Sequence, residues 1–320
     1  MGALLQRVRA QVLAGQKLVG PTGKARALLD GGHLSLFHGR SQEFDDLRPY
    51  VPGDDVRDID WKATARSAPP QAGGPPNLLV KRFVSLRQHK VLLVVDVSRS
   101  MSALAPSGET KRDVAVNAMG MMGLVSIAKG DEISLVYGDA RGSARMPPGR
   151  GETHVERILA RVAGHDLDHA ARDSLAVQLA YVERNFRKRY VVFLVSGEPS
   201  VGERCPAQDG LAEQLRRVAA GHDLYWIIVR DAPILSDPAA PLPGGWGSSV
   251  GYDVETGKVL LREEALGRKV LAAYRQAEER REAALADFLA ACGVRAARVE
   301  GTWQLRKEVT TLLRRSGHGG

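Results

Sequence analysis

Cysteine is nearly absent: the 320-residue chain has two, Cys205 and Cys292, far apart and in no metal-ligand spacing. Free thiols in a reducing cytoplasm are the simplest expectation. No apolar run approaches the roughly 18 residues that a membrane span requires. Nucleotide chemistry has no foothold either. Gly20-Pro21-Thr22-Gly23-Lys24 lacks the first glycine of a phosphate loop, the Ser/Thr after its lysine and a preceding strand. There are no tandem repeats, no coiled-coil run of useful length and no cofactor fingerprint. Aromatic residues are few, at 5%, and do not interleave with basic ones. The net charge of +8 comes from arginine scattered along most predicted helices, with Arg216-Arg217, Arg280-Arg281 and Arg314-Arg315 as isolated pairs. A solvated, arginine-rich surface is therefore expected, and a nucleic-acid partner is the lesser reading.

What is present is an ordinary globular composition, 44% hydrophobic and 26% charged. The length suits one large α/β domain with elaborations or two small domains. The most telling stretch is Lys90 to Met101. Val91-Leu92-Leu93-Val94-Val95 reads as a strand buried on both faces, as in a parallel sheet. Further strands are expected at 78–86, 132–137, 190–195, 223–230 and 294–299. Helices are expected at 3–19, 109–129, 153–162, 173–188, 211–220, 263–292 and 302–315. The Pro/Gly/Arg span 144–152 reads as a loop, residues 69–76 as a flexible insertion, 249–262 as a hairpin and 316–320 as a tail. Alternation of strands and helices predicts a Rossmann-like fold with a mainly parallel sheet. The division expected is 1–86, holding an amphipathic helix, an acid- and arginine-rich segment at 40–66 and a strand, followed by a domain at 87–315.

Chemistry is expected where the first buried strand ends. Asp96, Ser98 and Ser100 follow it as Asp-x-Ser-x-Ser, placing three hard oxygen donors in the crevice beyond the carboxyl end of a strand. Such donors suit Mg²⁺ better than zinc. The plainer alternative is a turn that caps the following helix. Thr153 is either a further hydroxyl for the site or an N-cap completed by Glu156 in a capping box. His165-Asp166-Leu167-Asp168-His169, between two helices, is expected to be a polar loop rather than a two-imidazole metal site. Between 40 and 66, Arg48, Tyr50, Asp54, Asp55, Arg57, Asp60, Trp61 and Arg66 suggest a partly buried ion-pair network, acting as a structural clasp or a partner surface.

Two resemblances give these patterns a frame. The Asp-x-Ser-x-Ser stretch resembles the first motif of the von Willebrand factor A domain, a Rossmann-like fold with a metal-ion-dependent adhesion site. Phe44 to Arg66, ending Asp60-Trp61-Lys62-Ala63-Thr64-Ala65-Arg66, resembles the hallmark of the bacterial domain-of-unknown-function family number fifty-eight. Members of that family join the hallmark to a von Willebrand A-like domain, and many are encoded beside a MoxR-type AAA+ ATPase. The resemblance implies an α/β protein: a Rossmann-like von Willebrand A-type domain with a mainly parallel central sheet and an N-terminal hallmark segment. It further implies a non-catalytic adaptor or assembly partner of a MoxR-type ATPase, with Asp96, Ser98, Ser100 and Thr153 as candidate Mg²⁺ ligands. Gly151-Glu152-Thr153 is similar to the second adhesion motif. At the fifth position, where adhesion sites carry an aspartate, this chain has Gly197 within Ser196-Gly197-Glu198, so weak or absent Mg²⁺ binding is expected. Larger members carry membrane helices ahead of the hallmark; the short stretch here leads to the expectation of a soluble, cytoplasmic protein. The alternatives are a metal-dependent hydrolase using Asp96 and the hallmark carboxylates, and a nucleic-acid binder acting through its basic surface.

Overall fold

The computed structural model describes residues 2–14, 42–51, 56–66, 78–85, 89–167, 170–171, 175–199, 206–233, 254 and 268–314. The insertion at 69–76, the hairpin at 249–262, the tail at 316–320, Cys205 and the carboxylates of Asp54 and Asp55 lie outside them. The chain forms two compact units, Phe37–Gln88 and the combination of Met1–Leu36 with His89–Gly320.

In the smaller unit, β1 (Gln42–Pro49) pairs antiparallel with β2 (Leu79–Ser85), from Gln42 opposite Ser85 to Pro49 opposite Leu79. The hallmark thus contributes a strand that its charge density had hidden. A 3-10 turn at Val56–Asp58 leads to α2 (Trp61–Arg66). Asp60 caps this short helix, its carboxylate accepting the N–H groups of Lys62 at 3.0 Å and Ala63 at 2.9 Å. Ile59 and Val80 are buried and bridge one another, and Leu79 N–H donates to Thr64 Oγ1 at 3.0 Å.

The larger unit begins with α1 (Ala3–Ala14), which packs here although sequence order had grouped it with the hallmark. There follow β3 (Lys90–Asp96), α3 (Lys111–Lys129), β4 (Glu132–Asp139), β5 (Gly142–Gly149), α4 (Glu152–Ala163), α5 (Leu175–Asn185) and β6 (Val191–Gly197). The chain continues with α6 (Pro206–Gly221), β7 (Asp223–Val229), α7 (Arg268–Cys292), β8 (Arg295–Val299) and α8 (Thr302–Arg314). Six strands form one sheet among the described residues, in the order β5-β4-β3-β6-β7-β8. All neighbours are parallel except β4 and β5. The protein is therefore an α/β fold with a mixed, mostly parallel central sheet flanked by helices, consistent with a Rossmann-like arrangement. β5 occupies most of the stretch expected to be a loop. Its Pro147 and Pro148 cannot donate to a ladder, and an edge strand leaves one side unpaired, so the position tolerates them.

Burial on both faces explains the apolar run in β3. Leu92 and Val94, with Val192, Leu194, Trp226 and Ile228, pack against Leu179 and Val182 of α5, Leu215 and Val218 of α6, and Leu285 and Phe288 of α7. The buried Trp226 satisfies its indole N–H on Ser196 Oγ at 2.9 Å. Across the other face lies α3, with α4 against β4, α8 against β8, and α1 on α3 and α4. Close helix contact depends on two glycines of α3. A Cβ on Gly120 would stand 2.6 Å from Val8 Cγ2 of α1, and one on Gly123 would stand 2.5 Å from Val155 Cγ1 of α4. No helix of the described residues is long and apolar enough to cross a membrane.

Replacing glycine by alanine inside a helix ordinarily stabilises by about 0.5–1 kcal/mol. At Gly120 the sign should reverse, because a branched, buried Val8 cannot yield the space. Gly120→Ala is expected to lower the urea midpoint, and the Val8→Ala/Gly120→Ala double variant to recover part of the loss. A Gly120→Ala protein more stable than the parent would show that α1 does not dock there.

Candidate functional site at the carboxyl edge

Two connections leave the middle of the sheet in opposite directions. From β3 the chain passes through α3 to β4 and outward to β5, then returns to the other side of β3 as β6 and proceeds to β7 and β8. The carboxyl ends of β3 and β6 therefore flank the topological switch point, where open α/β sheets form their crevice. Asp96 ends β3 and Gly197 ends β6.

Asp96 and Ser98 are buried, at 2% and 0% exposure. One Asp96 oxygen accepts Ser98 N–H at 2.8 Å, and the other accepts Ser98 O–H at 2.9 Å. Ser100 Oγ lies 3.0 Å from Ser98 Oγ. Since an ionised carboxylate only accepts, the Ser98 proton is committed to Asp96, and Ser100 must donate to Ser98. The string runs Ser100 O–H to Ser98 O–H to Asp96, which leaves lone pairs on Ser100 Oγ. The three residues expected together are together, and their outward face is an acceptor suited to a cation.

A cation of the chain itself lies on the same edge, against Gly197. Lys111, the first residue of α3, is 2% exposed. Its Nζ lies 2.9 Å from where a Cβ on Gly197 would be, with Ser100 Oγ 3.9 Å from the same point. The ammonium donates to Asp231 Oδ1, just beyond β7, at 2.5 Å. The Lys111 side chain is 3% exposed and that of Asp231 45%. Sequence reasoning missed both residues. The available signal was electrostatic: a lysine at the first helical position opposes the helix dipole, so its presence there calls for a local anion.

The other candidates are elsewhere. Thr153 is an exposed residue inside α4, whose N-cap is Gly151. That helix starts near the amino end of β4, because Gly149 pairs with Ile133 and His154 Nε2 lies 2.9 Å from Ile133 O. Asp96 aligns with Gly138, five residues further along β4, so the two ends are roughly 16 Å apart at the usual strand rise. Thr153 is thus not brought to the Asp96 cluster. The expected capping box is also replaced: Glu156 reaches α1, accepting Leu4 N–H at 3.0 Å and Leu5 N–H at 2.8 Å. The segment that does reach the carboxyl edge is the loop between α4 and α5. There Arg99 N–H donates to Ala171 O at 3.0 Å, and Ala171 N–H donates to an Asp139 oxygen at 2.8 Å. Burial alone would raise the Asp139 carboxyl, but hydrogen bonds from Arg141 and from the Ala171 and Arg141 N–H groups prevail and lower it to about 2.

Glu198, the acid nearest the fifth adhesion position, serves a different purpose. Its 2%-exposed carboxylate accepts Arg281 Nη1 at 2.6 Å and Arg298 Nη2 at 2.5 Å, with Arg230 Nε at 3.5 Å. Glu282 joins Arg298 and Arg230, and Glu300 joins Arg230. Burial would raise the Glu198 pKa, yet the hydrogen bonds from Arg298 and Arg281 outweigh it and the net shift is downward. The hydrogen bond from Arg298 is the main cause that lowers Glu282 to about 2.

The residues at the switch point do not fit a divalent metal. Both Asp96 oxygens are engaged, Thr153 lies at the opposite edge, Glu198 is claimed by arginines, and the Lys111 ammonium lies against the end of β6 at Gly197. Among the described residues no three His, Cys, Asp or Glu side chains are grouped to hold a metal ion. Restoring an aspartate at Gly197 would set its side chain against Lys111 and would not by itself rebuild a metal site.

The described hallmark candidates divide between exposed and partly buried positions. Trp61 is 65% exposed, Arg57 and Arg66 are exposed, Tyr50 is half-buried, and Asp60 is occupied in capping α2. Asp54, Asp55 and the side chain of Arg48 lie outside the described residues. Val51 and Val56 are exposed as well, so the segment displays apolar surface.

A family model described as a protein of unknown function, DUF58, matches residues 46–283. An uncharacterized protein of Mycobacterium tuberculosis is 28% identical over 271 residues, covering 84% of this chain and 78% of that protein. An uncharacterized protein of Mycobacterium bovis matches with the same values. Among solved structures, an aerotolerance-related membrane protein from Bacteroides fragilis is similar at 13% identity and a TM-score of 0.43, covering 71% of this chain and 99% of that one.

Two stability predictions come from these contacts. Asp139, Glu282 and Glu198 have folded pKa values below those of unfolded carboxylates, so their contribution is present above about pH 4.5 and is lost as pH falls through the folded values, about 2 for Asp139 and Glu282. The urea midpoint should begin to decline below about pH 6.5, where unfolding protonates His165 and His222, whose burial holds their pKa below the ordinary value, and fall more steeply below about pH 4.5; Glu198→Ala should cost about 3 kcal/mol at neutral pH through uncompensated arginines. Asp60→Ala removes the cap of α2 and should cost about 1 kcal/mol. An Asp60 loss as large as that of Glu198→Ala would support the buried-network reading of the hallmark.

Proposed function

The chain belongs to the DUF58 family, whose model spans most of the hallmark and most of the larger unit, and from that membership we propose that it is a non-catalytic protein-interaction module. The observation that carries the reading is the state of the polar groups at the switch point. They are matched to one another, Ser98 with Asp96 and Lys111 with Asp231. Asp96 and Ser98 form the nearest thing to a base and a nucleophile, but Ser98 is sealed at 0% exposure and cannot meet a substrate. Such an edge is built to recognise a group presented to it. A von Willebrand A-type domain is the form of the fold that this reading favours.

The partner in this reading is a MoxR-type AAA+ ATPase, as the hallmark resemblance implies, and the compartment is the cytoplasm. The display of Trp61, Val51 and Val56 on the hallmark favours a partner surface over a clasp, since tryptophan is prominent among residues that dominate binding energy. Nucleic acid is disfavoured because arginines such as Arg230, Arg281 and Arg298 are consumed in internal ion pairs.

The test is a binding measurement between the full chain and a MoxR-type ATPase from the same genome, with ATP, with ADP and without nucleotide. Binding by the parent should fall at least about tenfold in Trp61→Ala, the scale of an interface anchor, with an unchanged melting temperature. Absence of binding by the parent in all three nucleotide states would reject the ATPase as partner.

A further inference from the structure

We propose that the Lys111 ammonium is the resident cation of the carboxyl edge, and that it receives a carboxylate from an acidic side chain of a protein partner, a place held in the unbound chain by Asp231. The proposal deepens the interaction reading above and rests on it for the nature of the ligand.

Three observations support it. The first is polarity. The hydroxyl string from Ser100 through Ser98 to Asp96 carries its protons inward, so Ser100 Oγ keeps lone pairs on the same edge as the ammonium. The second is space. The ammonium stands 2.9 Å from where a Cβ of residue 197 would lie, so glycine at the end of β6 leaves room for the lysine head. Any side chain there would compete with it. The third is the contrast between the two partners of the ion pair. Lys111 is sealed, whereas almost half of the Asp231 side chain faces solvent. A buried ammonium needs an anion, and losing one without replacement is costly. A second carboxylate arriving from solvent can meet that need in the same geometry as Asp231 departs.

The exchange explains how the edge can recognise an acid without a divalent ion. The ammonium is paired with the outer carboxylate of Asp231, so a partner carboxylate that replaces it leaves the local charge balance unchanged. Lysine suits the task as a compact point charge on a flexible stem, whereas an arginine fork would need more room beside Gly197. Asp231 acts as a competitor tethered within the chain. Its effective concentration is high, which keeps the edge closed to weak or solitary acids and favours a partner anchored at a second point.

The experiment uses the full chain and a small probe, N-acetyl-aspartate amide, with N-acetyl-asparagine amide as control, titrated by NMR and calorimetry. Asp231→Asn should bind the acidic probe about tenfold or more tightly than the parent, because the tethered competitor is gone. The asparagine probe should bind neither protein, and neither EDTA nor added Mg²⁺ should change the result. Lys111→Met in the Asp231→Asn background should abolish binding; should that variant fail to fold, the comparison of parent with Asp231→Asn decides alone. Equal affinity of parent and Asp231→Asn would overturn the proposal. So would stoichiometric Mg²⁺ binding by the parent that Asp96→Asn removes. Because no ATPase is in the sample, failure of the partner assignment and failure of the lysine site are separable.

Discussion

A buried positive charge at the end of the central strands constrains much of what surrounds it. Lys111 opens α3 where the helix dipole is unfavourable to a cation, and it does so with almost no access to water. The arrangement is tenable because Asp231 Oδ1 accepts from the ammonium. Glycine at 197 supplies the volume. Each of these choices is intelligible only with the lysine in place.

The same edge holds a second, denser set of charges, and its logic is different. Glu198 follows directly on Gly197, yet it turns to arginines from the segment after β7, from α7 and from β8. Elements far apart in the chain are thereby fastened at one point. Planar guanidinium groups and short contacts give this knot direction as well as strength. It also takes three of the arginines, Arg230, Arg281 and Arg298, into contacts within the fold. Neighbouring residues on one turn, Gly197 and Glu198, thus serve two separate electrostatic systems.

The hallmark segment is dense in charge, and the carboxylate of Asp60 accepts the N–H groups of a short helix. A helix of that length has few internal hydrogen bonds, so capping matters to it more than any ion pair would. The tryptophan beside the cap is left facing outward. Stability and recognition are divided between adjacent residues, Asp60 and Trp61.

The sequence by itself determined the α/β alternation, the fully buried β3, the position of Asp96 at its end and the association of Asp96 with Ser98 and Ser100. These are local: apolar periodicity defines a strand, and residues two apart at a strand end share a turn. It also identified Gly197 as a departure from an adhesion site. The tertiary structure decided what filled the space that this glycine leaves. Lys111 and Asp231 are 120 residues apart, and no spacing rule joins residues whose proximity depends on which strands become neighbours. Thr153 failed for the same reason. The pairing of β5 with β4 carries the start of α4 to the amino edge of the sheet, away from the carboxyl end where Asp96 lies. Glu198 was legible as an acid at the right turn, but its direction was set by Arg281 and Arg298, which arrive from the last third of the chain. Which groups lie at the end of a strand is a property of a few consecutive residues; which charges come to face them is set by the order of the strands.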